Sequence, residues 1–164
     1  MDDPKIRPLA AQPSVAVRVT RPMAGIDVGA IVDEQFGAVV GRIAALGAAI
    51  AGAPYVRYLE WGGETAVLEL GFPVSAALGP DELEPLGGSA DGQPGATALP
   101  GGNALVLEYR GPYTGLKAAW DLSRAWIDEH SLRPAGAPWE SYVDNPDTVA
   151  PDAIRTEIVW PLEV

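Results

Sequence analysis

Short stretches of strict alternation and longer stretches of helical spacing divide the chain. Val15, Val17 and Val19 alternate with Ala16 and Arg18, and Leu105, Leu107 and Tyr109 alternate with Val106 and Glu108. A period of two marks a strand with one covered face. After the first such strand, Val32, Phe36, Val39, Val40, Ile43 and Ile50 fall at helical spacing. Asp27 and Asp33 stand near the start, where carboxylates suit the positive end of the helix. After the second strand, Leu116, Trp120 and Ile127 form one stripe with Ala119 and Trp126 beside it. That helix is predicted from about Thr114, as N-cap, to His130. Two strands follow each helix. They are Tyr55–Trp61 and Thr65–Phe72, joined at Gly62-Gly63, then Trp139–Val143 and Ile154–Trp160, joined by the loop DNPDTVAPDA.

The order β-α-β-β thus occurs twice, and residue identities repeat with it. Residues 51–58 read AGAPYVRY and residues 135–142 read AGAPWESY. In ETAVLELGFPV and AIRTEIVWPL, Glu69 and Glu157 each precede an aromatic by three residues (Phe72, Trp160), and Pro73 and Pro161 follow at once. VAVRVTRPM matches ALVLEYRGPY more loosely, pairing Arg18 with Glu108. The blocks are offset by 84, 88 and 90 residues, as expected when loops change length and elements persist. The organisation read from this is a tail at 1–14, repeat one at 15–75, a connecting loop at 76–103 rich in Gly, Pro and acids, and repeat two at 104–164.

The fold class is α+β: a tandem repeat with pseudo-two-fold symmetry, an antiparallel sheet, two helices on one side and a central ligand cleft. Alternation assigns faces. In the last strand Ile154, Thr156, Ile158 and Trp160 share one side, and Arg155, Glu157 and Val159 the other. If the apolar side lies under the helices, Glu157, Glu69, Glu108 and Arg18 emerge on the open side.

With 164 residues, 48% of them hydrophobic, the chain suits one ordinary soluble domain. No apolar run approaches the ~18 residues of a membrane span, and the polar N-terminus does not resemble a signal peptide, so a cytoplasmic location is expected. The formal net charge of −11 disfavours direct nucleic-acid binding, which needs clustered Lys and Arg. There is no cysteine and a single histidine, His130, so no thiolate metal site and little scope for a catalytic triad. No phosphate loop or dinucleotide fingerprint occurs, and no cofactor is expected.

Gly111-Pro112-Tyr113, the helix from Leu116 to Trp126, the loop from Tyr142 to Pro146 and the strand Thr156-Glu157-Ile158 stand in one order. That ordered set resembles the GyrI-like small-molecule-binding family, closely over residues 104–162 and loosely over the first half. The resemblance implies a cleft that meets planar or cationic compounds. It also implies a role for Glu157 as a carboxylate facing aromatic walls, and a stand-alone form without a DNA-reading module.

Candidate ligand-binding residues are Glu157, Tyr142, Trp139, Tyr113, Tyr58, Tyr55, Trp61, Glu108 and Glu69. Five Trp and five Tyr against two Phe means that most aromatics carry a polar handle, which suits stacking and cation–π contact. Trp120 is assigned to the helix core. The expected function is polyspecific binding and sequestration of hydrophobic, aromatic or cationic small molecules. The alternative is hydrolysis of cyclopropane-bearing DNA alkylators in the same cleft, with Tyr142 as proton donor and Glu157 orienting or deprotonating water. A protein partner such as gyrase is a third reading, resting on the acidic surface alone.

Overall fold

In the computed structural model, which describes residues 3–88 and 90–163, the strands and helices follow the order β1 (Lys5–Leu9), β2 (Gln12–Pro22), α1 (Val28–Ala45), β3 (Tyr55–Glu60), β4 (Thr65–Pro73), β5 (Gly95–Leu99), β6 (Gly102–Arg110), α2 (Leu116–Glu129), β7 (Trp139–Tyr142) and β8 (Arg155–Pro161). The fold is mixed α+β, with antiparallel strand pairing. It divides into two compact units: Ala11–Leu99, and the chain up to Ala10 together with the chain from Pro100.

The first unit orders its strands β5-β2-β4-β3, and the second β1-β6-β8-β7. Within each, strand, helix, strand and strand follow as the alternation predicts. The outermost strands differ from expectation. β1 lies in the stretch predicted to be a tail, and β5 in the stretch predicted to be a connecting loop. Their sequences, KIRPL and GATAL, carry no apolar alternation, because an edge strand pairs on one side only and covers little core. Residues 1, 2, 89 and 164 of the predicted segments lie outside the described residues. The pairing is reciprocal. β1 precedes β2 in the chain but pairs with β6, and β5 precedes β6 but pairs with β2.

Each helix covers one face of its sheet. In the first unit Ile31, Val39 and Ile43 of α1 are buried, as are Val15, Val17, Val19, Leu68 and Leu70 of the sheet. Phe36 of α1 meets Phe72 of β4 with ring centroids 5.2 Å apart. In the second, Ala119 and Ile127 of α2 pack with Leu105, Leu107, Tyr109, Ile158 and Trp160. A fully buried Leu or Ile contributes about 1.5–3 kcal/mol, so these rows hold the helices in place.

Local chemistry sets the helix ends. Asp27 caps α1, its Oδ1 accepting from Ala30 N–H at 3.1 Å. α1 stops at Ala45, short of Ile50, because Gly47 at φ 68° turns the chain and sends its N–H to the Ala44 carbonyl at 3.0 Å. α2 begins at Leu116 after a 3₁₀ turn over Tyr113–Gly115, so Thr114 is not its N-cap. The cause is Tyr109, whose hydroxyl donates to the Pro112 carbonyl at 2.7 Å. That hydroxyl occupies the space a Cβ would need at Gly115.

Gly71 of β4 lies opposite Ala16, and a Cβ there would meet the Val15 carbonyl oxygen and fall 2.6 Å from Ala16 Cβ. Gly71→Ala is therefore expected to destabilise the protein by about 2 kcal/mol or more, because backbone has to move. Urea denaturation measures this, and an unchanged midpoint would refute the tight β2–β4 approach.

Candidate functional site

Strand parity places a carboxylate on the apolar side of the second unit. Glu140 of β7 lies opposite Ile158 of β8, a core residue beneath α2, so its side chain shares that covered face. It is 4% exposed. Trp120 Nε1–H, from α2, donates to Glu140 Oε1 at 2.6 Å. Tyr142 O–H, two residues along the same strand, donates to Oε2 at 2.6 Å. Both donors are neutral, so these two bonds solvate the carboxylate without neutralising it.

Aromatic rings surround this point. Tyr113 and Tyr142 meet edge to face with centroids 5.8 Å apart, and Trp120 and Trp160 do the same at 5.7 Å. Trp160 Nε1–H is anchored on Ser123 Oγ at 2.9 Å, and the Arg124 guanidinium lies 5.4 Å from its ring centroid. Tyr113 is 39% exposed, which opens the cluster to solvent. Partial burial pushes the Tyr113 hydroxyl above its usual value, and the charges of Glu140 and Asp144 push in the same direction. A carboxylate ringed by Trp and Tyr suits a planar cation, for which each cation–π contact is worth roughly 0.5–2 kcal/mol.

The sequence-predicted residues distribute over both faces. Tyr142 and Tyr113 belong to the Glu140 cluster. Glu157 does not: it lies one residue beyond Thr156, the partner of Tyr142, and so points to the opposite face. There it stands opposite Glu108 on one side and Ser141 on the other. Arg7 Nη2 donates to Glu157 Oε2 at 2.8 Å, and Arg110 Nε to Glu108 Oε2 at 3.2 Å. A shallow cavity of about 170 Å³ lies here, lined by Asp3, Lys5, Arg7, Val106, Glu108 and Glu157. Trp139, opposite Val159, is on this same face and buried. Glu157 and Tyr142, paired above as base and proton donor, therefore occupy opposite sides of the sheet.

In the first unit, Glu69 lies between Arg18 and Arg57 in register and is buried. Tyr55 O–H donates to it at 3.2 Å, and Arg18 Nη2 stands 3.7 Å away. Burial pushes the Glu69 carboxyl above its usual range against the pull of Arg57 and Arg18. Burial, reinforced by the Glu69 charge, likewise pushes the Tyr55 hydroxyl well above its usual value. This set is an internal ion cluster. Tyr58, opposite Leu68, shares the helix-facing side with its neighbour Trp61, their centroids 5.1 Å apart. Trp61 is 48% exposed.

Trp120, assigned to the helix core, does pack against that core, and its indole N–H also reaches Glu140, a residue absent from the sequence-based candidates. Glu140 itself carried a signal in the repeat: AGAPYVRY and AGAPWESY align it with Val56, which is fully buried. Here a position apolar in one copy and acidic in the other is buried in both. Among the described residues, no group of three or more His, Asp or Glu is placed to hold a metal ion. No helix among them is long and apolar enough to cross a membrane.

Arg155 clamps the loop beside the cluster. Its backbone N–H, Nε and Nη2 donate to Asp144 at 3.0, 2.9 and 2.8 Å. These bonds hold the Asp144 carboxyl down at about 2, and Asp144 raises Arg155 further above its usual value. A depressed carboxylate adds stability above its unfolded value and loses it as pH falls through the folded one. Asp144→Asn is thus expected to be less stable than the wild type at pH 7. Urea denaturation should show that gap closing as pH drops from 3.8 to about 2. A gap independent of pH would assign the loss to packing.

A family model described as the GyrI-like small molecule binding domain matches residues 61–163. No curated protein matches the chain in sequence. Among solved structures, the EcmrR C-terminal domain aligns over 98% of this chain and 97% of its own, at TM-score 0.79 and 17% identity. The structure of SAV2435 bound to tetraphenylphosphonium aligns over 99% and 94%, at TM-score 0.66 and 16% identity. A hydrolase encoded by lin2189 from Listeria innocua aligns over 98% and 92%, at TM-score 0.62 and 10% identity. At these identities the likeness is one of fold. With 61–163 matched, more than half of the chain, it belongs to the GyrI-like small-molecule-binding domain family.

Proposed function

We propose that this small-molecule-binding domain takes hydrophobic, aromatic cations at the Glu140 cluster and sequesters them without regard to their finer shape. The observation that carries this reading is Glu140 itself, buried, with each carboxylate oxygen held by an aromatic donor at 2.6 Å. A cation brought over Tyr113 and Tyr142 gains the aromatic faces and the carboxylate together, where partial burial strengthens the attraction. The hydrogen bond from Trp120 fixes one carboxylate oxygen in advance, which reduces the ordering needed on binding. Rings that tilt and slide, rather than a rigid set of directional donors, suit ligands of varied outline. Tetraphenylphosphonium, the compound bound to the structurally similar SAV2435, has this chemistry.

Hydrolysis in the same site is a second reading, favoured by the short Tyr142–Glu140 hydrogen bond. Water would add to a cyclopropane carbon, and the ring C–C bond would break towards a conjugated carbonyl. The carbonyl oxygen would take its proton from Tyr142, and Glu140 would relay the proton released by water.

Titration of tetraphenylphosphonium followed by Trp fluorescence tests the binding reading. Glu140→Gln should weaken binding about tenfold or more, a loss near 1.4 kcal/mol. Glu157→Gln should leave it within about twofold, a difference of ~0.4 kcal/mol. The reverse pattern would move the site to the opposite face of the sheet. Incubation with a cyclopropane-bearing alkylator, followed by mass spectrometry, separates the two readings. Unchanged mass means sequestration, and a product heavier by one water formed over many turnovers means hydrolysis.

A further inference from the structure

Thr156 is buried with 0% exposure, and its Oγ1 has no hydrogen-bond partner. Buried hydroxyls are nearly always paired, so an orphan calls for a reason. Its place in the fold supplies one. Thr156 lies directly opposite Tyr142 on one side and Tyr109 on the other. All three side chains are on the face that carries Glu140, and directly opposed side chains stand ~5 Å apart at Cβ. Both flanking phenols direct their hydroxyls elsewhere, Tyr109 to the Pro112 carbonyl at 2.7 Å and Tyr142 to Glu140 at 2.6 Å. The neighbours in sequence, Arg155 and Glu157, face the other way, into ion pairs with Asp144 and Arg7.

We infer, resting on the Glu140 reading above, that Thr156 Oγ1 is a specificity-determining group on the floor of the ligand site. It selects aromatic cations that carry an amino or hydroxyl group over cations that present hydrocarbon alone. A cation drawn to Glu140 competes for the oxygen that holds the Tyr142 hydroxyl. Tyr142 is thereby released to tilt away from Thr156, and the ligand's N–H or O–H donates to Oγ1. Tetraphenylphosphonium has no such donor and gains nothing from the threonine. An amine-bearing planar cation such as ethidium does.

Calorimetric titration of both probes against the wild type, Thr156→Val, Thr156→Ser and Glu140→Gln tests this. Thr156→Val keeps the shape of the side chain and removes the hydroxyl. It is expected to weaken ethidium about tenfold, leave tetraphenylphosphonium within about twofold and cause no fall in melting temperature. Thr156→Ser, which restores the hydroxyl, should recover most of the ethidium affinity. Equal losses for both probes, no loss for either, or a failure of serine to rescue would each overturn the assignment. A Glu140→Gln protein that binds both probes as the wild type does sinks the Glu140 reading alone. In that case Thr156→Val still reports on Oγ1 by the difference between probes. A wild-type protein that binds neither probe removes both.

Discussion

A carboxylate on the apolar side of a sheet has to be solvated by something other than water. For Glu140 the known solvating donors are an indole and a phenol, from α2 and from its own strand. That requirement organises the second unit. It ties α2 to β7 through the Trp120–Glu140 hydrogen bond. It tilts Tyr142 along the strand towards residue 140 and brings its ring edge to Tyr113. It also keeps Trp120 beside Trp160, whose own N–H rests on Ser123. Truncating either donor would remove a hydrogen bond from a buried carboxylate, at a cost of about 1–3 kcal/mol.

The two faces of the second unit's sheet handle charge in different ways. On the covered side Glu140 accepts from two neutral aromatic donors. On the other side Glu157 and Glu108 stand directly opposite each other, a destabilising arrangement for like charges. Arg7 and Arg110 offset it. The first unit replaces this pair by Arg18 opposite Glu69, with Arg57 beyond. Attraction is then built into the register.

Much of this was legible in the sequence. Period-two alternation gave the faces of β2, β4, β6 and β8 correctly, with Glu69 and Glu157 directed away from the helices, although Glu69 is buried there and not open as expected. The repeated blocks gave the strand–helix–strand–strand order. What could not be read has physical causes. β1 and β5 are edge strands without apolar alternation, held by backbone hydrogen bonds to partners distant in sequence, as Lys5 opposite Val106 shows. The start of α2 depends on where the Tyr109 hydroxyl comes to rest, a tertiary fact. Parity along β7 puts Glu140 and Tyr142 together, but Glu140 was not among the candidates, although the Val56–Glu140 mismatch between the repeats was already on display.

The reciprocal exchange of β1 and β5 changes what the duplication means. Two copies that each folded alone could be cut apart, shuffled or lost one at a time. Here the segment ahead of each copy closes the sheet of the other, so excising either copy strips an edge from the one that remains. The repeats are therefore locked into joint inheritance. The half that carries Glu140 can diverge from its counterpart, which has Val56 at the matching place, only while each still supplies the other's edge strand.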